Sequence, residues 1–455
     1  MESERRRIIQ TLVFAVLFIE LAFVSSGCAA ATFTVCSSGC NYTSIQSAID
    51  NATSGDTIEV QSGTYYENVN VNRQLMLRGN DTGGGKPVVD AGGIGSAITL
   101  SHDGIVLDGF TAINSSWYPQ AGILVSSNNN VINNNTASNN SYIGIYLSGS
   151  DYNTLTSNNA SNNNRGILLD FSSNNTLSGN NANSNSHYGI LLRSSSNNTL
   201  IGNIANSNNY DGIYLSGSDY NTLTSNNANS NNRFGIRMSE SSINTATGNT
   251  ANSSNIGIYL DSSSNNNTLT DNTANSNNYS GIELSSSSNN TLTGNIALYN
   301  NYGIYLYNSS TNFIYNNYFE NPNNAYDDGN NTWNISKTEG TNIISGSYLG
   351  GNYWSDYTGE DTNGDGLGDT SVPYNSSGYI VNGGDWLPLD KATEPPSRWD
   401  VNEDCTVNFI DLTILSAHWL ETPTAPYPRY DINEDGVVNF IDLTILSAHW
   451  LETTY

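Results

Sequence analysis

The chain has 455 residues and a formal net charge of −27, yet only 12% of its residues are charged. An acidic balance of this size repels phosphate backbones, which excludes nucleic acid as a partner and favours soluble, calcium-bearing life outside the cell. With so few charged residues, the stability of the fold must come from packing and from hydrogen bonds between neutral polar groups.

The N-terminal segment has the order of a secretory signal. Three arginines at 5–7 precede an apolar run over 8–24, and small residues follow up to Ala31. The run has 17 residues with Glu20 among them, short of the roughly 20 apolar residues that a membrane-spanning helix needs. We expect residues 1–31 to be a signal peptide and the mature chain to be secreted or held at the extracellular cell surface.

The four cysteines have different expected fates in an exported chain. Cys36 and Cys40 are expected to form a small disulfide, which leaves Cys405 over. Cys28 ends a sequence similar to a lipobox, although Ser25 stands where an aliphatic residue is expected. A lipid on Cys28 is therefore an alternative, and apart from it only the signal peptide would link the chain to a membrane.

The segment 42–79 is expected to close the first end of a repeat fold. It contains an amphipathic stretch over 44–52, a turn at 54–56 and a strand over 57–60. This order resembles the start of many secreted β-helix proteins, pectin-acting enzymes among them. That resemblance implies a short helix that covers the open coil.

A repeat of 22 to 24 residues occupies the middle of the chain. Its Gly-Ile-x-Leu motif has glycines at 122, 144, 166, 189, 212, 235, 257, 281 and 303. In step with it runs an asparagine column: Asn135, Asn158, Asn180, Asn203, Asn226, Asn249, Asn272, Asn295 and Asn317. A fixed period of this length, rich in Gly, Asn, Ser and Thr, predicts an all-β solenoid, a right-handed parallel β-helix.

Side-chain alternation assigns the two faces of each Gly-Ile-x-Leu strand. Ile and Leu are expected to point inward and x outward. The asparagines are expected to stack as a hydrogen-bonded ladder at a turn. Nine coils at a spacing of about 4.8 Å would make a prism roughly 40 Å long.

The outward face offers candidates for binding and for catalysis. The x positions include Tyr146, Tyr214, Tyr259 and Tyr305, which form either a stripe for stacking sugar rings or a ladder that stabilises the sheet. In the column just after each Gly-Ile-x-Leu, only Asp170 and Arg193 are oppositely charged neighbours in successive coils. An inter-coil salt bridge explains that pair better than a catalytic acid and base.

After the last coil, segments 323–328 and 351–357 resemble the closing region of a family of microbial surface proteins. Those proteins share β-helix repeats of the carbohydrate-binding and sugar-hydrolase type and are labelled after the copper-maturation protein NosD. The resemblance covers roughly 33–390, so we expect a β-helix domain over 32–390. The label would imply copper, but the few His, Met and Cys residues do not cluster in the sequence.

A calcium-loop pattern lies in this closing region. It consists of Asp361, Asn363, Asp365 and Asp369, with Gly366 at the turn and the Leu367 carbonyl available. No residue matches the last ligand of such loops. The alternatives are a calcium site and a solvated acidic turn.

The C-terminal region contains two copies of one 16-residue segment, 407–422 and 438–453, each with a calcium-loop pattern that begins seven residues upstream. The expected side-chain ligands are Asp400, Asn402, Asp404, Asn408 and Asp411, then Asp431, Asn433, Asp435, Asn439 and Asp442, with carbonyls of Thr406 and Val437. An apolar helical pattern follows each loop. The first loop has Cys405 where the second has Gly436, so we expect it to bind calcium more weakly.

This tandem resembles a type I dockerin over 398–455, joined by a linker over 391–397. The resemblance implies two calcium ions and a cohesin partner on a scaffold or surface protein. The near-identity of the halves implies a pseudo-twofold docking face, with Phe409, Ile410, Phe440 and Ile441 as contacts.

Together these features predict a calcium-dependent modular protein that binds carbohydrate, or acts as an adhesive surface, and docks to a cohesin. One alternative is a polysaccharide lyase or glycoside hydrolase carried by its dockerin to a surface complex. Another is a structural surface-layer protein. The family resemblance alone does not choose among them.

Overall fold

The structure is a computed structural model, and it describes residues 30–390, 399–402, 406–424 and 427–450. Residues 1–29 of the expected signal peptide, Cys28 among them, the linker and Asp404 with Cys405 lie outside the described residues. The chain divides into two compact units: Met1–Glu360 with Gly368–Leu389, and Asp361–Leu367 with Asp390–Tyr455. Among the described helices, none combines the length and apolarity needed to cross a bilayer.

The first unit is a right-handed parallel β-helix with coils of about 23 residues. Its first sheet has 13 parallel strands. They are Thr32–Val35, Thr57–Gln61, Met76–Asn80, Val106–Asp108, Val131–Asn133, Thr154–Thr156, Thr176–Ser178, Thr199–Ile201, Thr222–Thr224, Thr245–Thr247, Thr268–Thr270, Thr291–Thr293 and Phe313–Tyr315.

The second sheet has 12 parallel strands and contains the Gly-Ile-x-Leu motif. They are Val69–Val71, Ile98–Leu100, Ala121–Val125, Ile143–Ser148, Arg165–Asp170, Ile190–Arg193, Ile213–Ser216, Phe234–Ser239, Ile256–Asp261, Ser280–Ser285, Tyr302–Tyr307 and Asn323–Asp327. Three of these strands lack the motif, two before the first copy and one after the last. The solenoid is therefore longer than the nine motif copies predict.

A third face joins the other two into a triangular coil. It starts with Thr64–Tyr65, Val88–Asp90 and Thr111–Ile113, and ends with Ile296–Leu298, Tyr318–Glu320 and Tyr353–Trp354. Between them single parallel bridges continue the column from coil to coil. Its residues are Thr136, Asn159, Asn181, Ile204, Asn227, Thr250 and Thr273.

The predicted alternation places the core inside the coils. The Ile and Leu of each motif copy are fully buried and stack on their counterparts one coil away, as Ile190 does on Ile213. Small alanines such as Ala205 fill the corner near the third face with no exposed surface. This single apolar column runs through the whole solenoid.

The asparagine column forms the expected ladder. Asn203 donates its side-chain amide to the Asn226 Oδ1 at 3.0 Å, and Asn226 donates to Asn249 at 2.9 Å. Asn226 also donates to the Leu200 carbonyl at 2.9 Å and accepts the backbone amide of Asn203 at 2.9 Å. Each ladder residue thus satisfies buried backbone groups as well as its neighbours.

Three further ladders at the other turns were not predicted. Two are built from asparagine, as in the Asn198–Asn221 and Asn208–Asn231 side-chain bonds of 3.2 Å and 3.0 Å. The fourth uses serine hydroxyls, each accepting a backbone amide from the coil before, as Ser218 does from Ser195 at 3.0 Å. Their own 22- to 24-residue spacing in the sequence was the available signal.

The first end of the solenoid is closed by helix α1, Ile45–Asn51. Ser44 is its N-cap, and the Glu67 carboxylate accepts the amides of Ile45 and Gln46 at 2.9 Å and 3.0 Å. Cys36 and Cys40 form the expected disulfide beside it. The helix matches the covering element that the resemblance implied.

The closing region adds small elements beyond the last coils. Thr338–Glu339 and Tyr348–Leu349 form an antiparallel pair, and Ser376–Gly378 is a single 3₁₀ turn. Here buried Trp333 and Trp354 fill the coil interior that Ile and Leu occupy elsewhere.

The second unit contains two nine-residue helices, α2 Phe409–Ala417 and α3 Phe440–Ala448. Each has an asparagine N-cap just before its first residue and an aspartate as its third residue, and the two side chains form a capping box. The small core consists of Val401, Val407, Leu415, Ile432, Val438 and Leu446. Its members come in matching pairs from the two halves.

Candidate functional site

The outer face of the second sheet collects the charged and aromatic side chains of the solenoid. Three columns point outward there, before the glycine, at x and after the leucine. The pre-glycine column is Ala121, Ile143, Arg165, Tyr188, Asp211, Phe234, Ile256, Ser280 and Tyr302. The x column is Leu124, Tyr146, Leu168, Leu191, Tyr214, Arg237, Tyr259, Glu283 and Tyr305. The post-leucine column contributes Asp170, Arg193 and Asp261.

Asp170 and Arg193 form an ion pair between neighbouring coils. The Arg193 Nε donates to Asp170 Oδ1 at 2.7 Å, and the Tyr146 hydroxyl donates to Asp170 Oδ2 at 3.3 Å. Burial is the main cause that raises the pKa of Tyr146 to about 12. The arrangement satisfies the Asp170 carboxylate within the protein, which is what an inter-coil salt bridge requires.

A second pair, which the sequence reasoning missed, lies three coils further on. Arg237 Nη2 donates to Asp261 Oδ2 at 2.7 Å, and both side chains are largely buried. The Arg237 guanidinium also lies over the Tyr214 ring, 4.8 Å from its centroid. Arginine in the x column and aspartate in the post-leucine column of the next coil are the sequence signal for this pair.

Asp211 is the acidic member of the pre-glycine column, and it is fully buried. Neither carboxylate oxygen has a hydrogen-bond partner of normal geometry among the described residues, although the Phe234 amide is nearby. Burial raises the pKa of Asp211 to about 6, while the charges of Arg233 and Arg237 oppose the rise. A buried carboxylate of this kind is a candidate for proton transfer or ligand contact.

Glu283 adds a further carboxylate to the same face. It is half-buried and accepts the Ser280 hydroxyl at 2.9 Å. Burial raises the pKa of Glu283, and the charge of Asp261 adds to the rise. Neither Glu283 nor Asp211 was singled out from the sequence, because both lie outside the column after each Gly-Ile-x-Leu, where stacked carboxylates were expected.

The four tyrosines of the proposed ligand stripe differ in accessibility. Tyr146 is only 3% exposed, because Tyr118 from an outer loop packs on it at 6.0 Å between ring centroids. Tyr214, Tyr259 and Tyr305 are half-buried and keep part of their surface in solvent. The accessible part of the stripe therefore begins beyond the loop that holds Trp117 and Tyr118.

Trp117 also borders a shallow groove of about 500 Å³. Asparagine and serine side chains of four coils form the rest of its wall, among them Asn164 and Asn209. Trp117 itself is 69% exposed. An exposed indole above a row of amides and hydroxyls offers an apolar surface and hydrogen-bonding groups side by side.

The acidic residues of the closing region bind tryptophans. Asp327 Oδ2 accepts the indole N–H of Trp333 at 3.1 Å, and Asp385 Oδ2 accepts that of Trp354 at 2.8 Å. Burial raises the pKa of Asp385 to about 7, against the hydrogen bonds that lower it. These contacts give Asp327 an ordering role in the closing region.

The loop 361–367 folds around the carboxylate of its first residue. The Asp361 carboxylate accepts the amides of Gly364 and Gly366 at 2.8 Å and 2.6 Å. Asp365 accepts the Leu367 amide at 2.9 Å. The residues are thus folded around the first aspartate, while Asp369 uses its amide to bond the Glu360 carbonyl at 2.9 Å.

The two loops of the second unit bury their first and last carboxylates. Asp400, Asp411, Asp431 and Asp442 have no exposed surface. Asp411 accepts the amides of Val401 and Asn408 at 2.7 Å and 2.8 Å, and Asp442 accepts the equivalent amides at the same distances. Buried carboxylates in an oxygen-rich loop are the donor set that suits a hard cation such as calcium.

The middle of each loop is polar and more open. Asn408 and Asn439 use their side-chain oxygens as N-caps and donate to the carbonyls of Thr406 and Val437. Asp435 accepts the Val437 amide at 2.9 Å, and Asn433 donates to Asp435 at 2.8 Å. Asn402 lies at the matching position of the first loop. All these groups have oxygens that a calcium ion could use.

The four apolar residues proposed for partner contact lie on the surface. Phe409 and Phe440 are each 73% exposed, and Ile410 and Ile441 are each 53% exposed. Phe409 packs edge-on to Trp450 at 5.1 Å, and Phe440 packs in the same way on Trp419 at 5.1 Å. The two halves thus present the same apolar surface twice.

Copper does not fit the donor set of the described residues. Met238 is fully buried in the core, and Cys36 is bonded to Cys40. His187 stacks on a tyrosine ring. No three His, Cys, Asp or Glu side chains of the described chain gather as a metal site, those of the calcium-loop patterns included. Copper sites need soft or imidazole ligands that converge.

Comparison with solved structures shows the fold. The A-module of the Azotobacter vinelandii mannuronan C-5 epimerase AlgE6 is 14% identical, with a TM-score of 0.54, and the match covers 63% of this chain and 90% of that one. The Dettilon tailspike protein is 15% identical over 58% and 60% of the two chains, with a TM-score of 0.49. The periplasmic alginate epimerase AlgG, as its T265N mutant, is 17% identical over 55% and 64%, with a TM-score of 0.41.

Family models identify both parts of the chain. None of the curated proteins matches it. The family described as "Periplasmic copper-binding protein (NosD)" matches residues 49–242 and 225–359, and the type I dockerin domain matches residues 398–451. The chain therefore belongs to the NosD family of parallel β-helix proteins and has a type I dockerin domain at its C-terminal end.

Proposed function

We propose that this protein works outside the cytoplasm as a carbohydrate-binding β-helix that its dockerin attaches to a cohesin. The outer face of the second sheet supports the first half of the proposal, because it gathers four of the eight Lys and Arg residues of segment 30–390 together with carboxylate and tyrosine side chains. Sugar rings stack on aromatic faces, and their hydroxyls bond to charged side chains. Type I dockerins in general bind calcium and dock to cohesins, which supports the second half.

The carbohydrate face is proposed to run over the coils from Arg165 to Tyr305. Tyr210 is 37% exposed and Tyr214 is half-buried, so part of each side chain is accessible to a ligand. The AlgE6 A-module, which has a fold of this kind, belongs to a mannuronan C-5 epimerase. That activity is a property of the module and does not by itself extend to this chain. The side chains of this face, not the fold, carry the proposal.

Calcium is proposed to bind in both dockerin loops. Asp400, Asn402, Asp404, Asn408, Asp411 and the Thr406 carbonyl would hold the first ion, and Asp431, Asn433, Asp435, Asn439, Asp442 and the Val437 carbonyl the second. Calcium would neutralise the buried carboxylates and order the helices that begin at the loop ends. The loop 361–367 is proposed as a weaker site, because position 12 lacks a ligand.

The cohesin is proposed to cover the exposed phenylalanine and isoleucine pairs at the starts of α2 and α3. Two variants test this: Phe409→Ala with Phe440→Ala, and Tyr66→Ala as a control with a 78% exposed aromatic side chain in the solenoid. We expect the first to weaken cohesin binding at least about 100-fold, since exposed aromatic residues dominate such interfaces. Equal binding by both variants would contradict the proposed face.

A second candidate function, an enzyme that modifies or cleaves a polysaccharide, is favoured by Asp211. Its pKa of about 6 would let it accept or donate a proton near neutral pH. The domain organisation, with a β-helix over 32–390 and a dockerin over 398–455, suits either function. Both bring a glycan-directed surface to a cohesin-bearing partner.

One experiment separates the two functions. The full chain with calcium is incubated with acidic and neutral polysaccharides, and both retained binding and released unsaturated or reducing ends are recorded. Binding without released ends supports the binding module. Released ends that Asp211→Asn abolishes would establish the enzyme, and the absence of binding and of product would overturn both.

A further inference from the structure

Two arginines on the outer face of the second sheet lie over aromatic rings and form no salt bridge with a carboxylate of the described residues. Arg165 lies over Tyr142 and Tyr188, with its Cζ 4.9 Å and 5.8 Å from the ring centroids. Arg233 lies over Tyr210 and Phe234 at 5.3 Å and 4.7 Å. The Nε of Arg165 is buried without a hydrogen-bond partner, and neither guanidinium forms an ion pair with a described residue.

The same face shows that the repeat can supply such partners. Arg193 and Arg237 each bond a carboxylate of a neighbouring coil, Asp170 and Asp261. In contrast, Asp211 lies near Arg233 without bonding to it, and both of its oxygens are buried without a partner in the described structure. Unsatisfied buried polar groups lower stability, so their presence at one place is unusual for a structural surface.

The unsatisfied groups share one stretch of the face. The strand register places Arg165, Tyr188 and Asp211 in the pre-glycine column of three successive coils. At a strand spacing of about 4.8 Å, Arg165 and Asp211 are about 10 Å apart along the solenoid. Tyr188 lies between them, with Tyr214 at 5.5 Å and Tyr210 at 6.0 Å between ring centroids. The stretch thus combines cations, an acceptor and aromatic faces.

These groups together define the chemistry of the missing partner. The guanidiniums need an anion, the Asp211 carboxylate needs a hydroxyl donor, and the tyrosine rings need an apolar face. A sugar residue that bears an acidic group offers all three. Four of the eight Lys and Arg residues of segment 30–390 lie on this face. Because the chain has a net charge of −27, an anion should prefer this face to the rest of the surface.

We infer that Arg165, Tyr188, Asp211 and Arg233 form a subsite for an anionic sugar residue, carboxylated or sulfated, of a polysaccharide. The inference rests on the proposed carbohydrate-binding function and names its ligand class. The acidic group of the sugar binds Arg165 or Arg233, and a hydroxyl donates to Asp211. Because Asp211 has no exposed surface in this structure, the subsite requires that a neighbouring side chain such as Arg233 move when the ligand binds.

The test measures binding of the full chain, with calcium, to four polysaccharides by calorimetry: a polyuronate, its methyl ester, a sulfated glucan and a neutral glucan. Variants Arg165→Gln and Arg233→Gln are compared with Arg78→Gln, an exposed arginine of the first sheet. We expect the first two to weaken binding to the anionic polymers at least about 10-fold and the third to leave it unchanged. The methyl ester should bind the unmodified protein at least about 10-fold more weakly than the polyuronate.

Asp211→Asn provides a second, independent variant, because it should keep the fold and still lose affinity for the anionic polymers. Preference for the polyuronate or for the sulfated glucan names the acidic group. Equal binding to neutral and anionic polymers, or equal effects of Arg165→Gln and Arg78→Gln, would overturn the subsite while leaving the carbohydrate function standing. If no polysaccharide of the four binds, the proposed function itself fails.

Discussion

The two units of this protein are both built by repetition, but they bury opposite kinds of polar group. Most polar side chains that the solenoid buries are neutral amides and hydroxyls, and each residue of a ladder bonds the next, as Asn203 does Asn226. The dockerin buries carboxylates, among them Asp411 and Asp442, at the ends of its two loops. A neutral ladder is complete without a ligand, whereas buried carboxylates need a cation.

This difference assigns each unit its role. The solenoid is self-sufficient and can present a rigid face. Type I dockerins in general bind calcium, and the calcium proposed for this unit would make its docking conditional on the ion. Asp211 is the exception within the solenoid: a buried carboxylate without a partner in the described chain. At Asp211 the solenoid, like the dockerin, buries a carboxylate that a ligand could satisfy.

Removal of calcium should have the largest effect and should act on one unit alone. With a chelator, the dockerin should lose its two helices and its cohesin binding, while the solenoid keeps its β-sheet signal. At a calcium concentration of about 100 Kd, the bound ion stabilises a unit by about 2.7 kcal/mol. Circular dichroism and calorimetry with a cohesin measure the two signals. A cohesin complex that survives chelation would contradict the calcium dependence.

Removal of one ladder residue should lower the free energy of unfolding of the solenoid. Asn226→Ala removes the oxygen that accepts both Asn203 amides and the amide that donates to the Leu200 carbonyl, while Asn249 still accepts the backbone amide of residue 226. At roughly 1–3 kcal/mol for each unsatisfied group, we expect a loss of about 4 kcal/mol in the free energy of unfolding.

Asn232→Ala is the matched control, because Asn232 is exposed in the same coil. It should change the free energy of unfolding by less than about 0.5 kcal/mol. Urea unfolding followed by circular dichroism compares the two. Equal stability of both variants would show that the ladder is not what stabilises the solenoid.

Periodicity explains how much of the fold was predictable. The Gly-Ile-x-Leu spacing predicted the sheet, the inward Ile and Leu and one asparagine ladder, because a coil repeats its side-chain directions every 22 to 24 residues. The remaining ladders follow the same rule. The strands Val69–Val71, Ile98–Leu100 and Asn323–Asp327 lack the motif, so the sequence underestimated the length.

The candidate site was predicted less well, since it depends on departures from the repeat. The ligand stripe counted Tyr146, which the nonperiodic loop at Tyr118 buries. Asp211 and Glu283 were missed because their importance lies in burial and in neighbours from other coils. In the dockerin, the spacing of the residues was enough to predict which of them form the loops, and the structure adds that Asp400 and Asp431 are buried.

Asp211→Asn should test the exception, and its effect should depend on pH. The folded pKa of about 6 lies above the unfolded value of about 3.9, so ionisation in the folded state is unfavourable. The stability contribution is present below the unfolded pKa and is lost as the pH rises through 6. The free energy of unfolding of the variant should therefore equal that of the natural protein near pH 4 and exceed it by up to about 3 kcal/mol at pH 8.

Asp170→Asn is the control for this test. Asp170 accepts a hydrogen bond from Arg193, so the loss of its charge should destabilise the fold. Thermal unfolding at several pH values measures both variants. If Asp211→Asn is less stable than the natural protein at pH 8, the carboxylate has a partner in solution and is structural.

The smallest effect should separate the two arginine–aspartate pairs on the same face. The Arg237 side chain is 17% exposed and Arg193 is 41% exposed. Water screens the more exposed pair, so Arg193→Gln should lower the free energy of unfolding by about 1 kcal/mol or less. Arg237→Gln leaves Asp261 buried without its cation and removes a charge that favours ionised Asp211, so we expect about 2 kcal/mol.

Arg78→Gln, exposed on the first sheet, sets the baseline for the loss of one positive charge from an acidic chain. Urea unfolding at low and at high salt measures all three variants, and salt should reduce the Arg193 effect most. Equal losses for Arg193 and Arg237 would mean that burial does not rank these pairs. The contrast between satisfied and unsatisfied charges on this face would then no longer mark Asp211 as distinct.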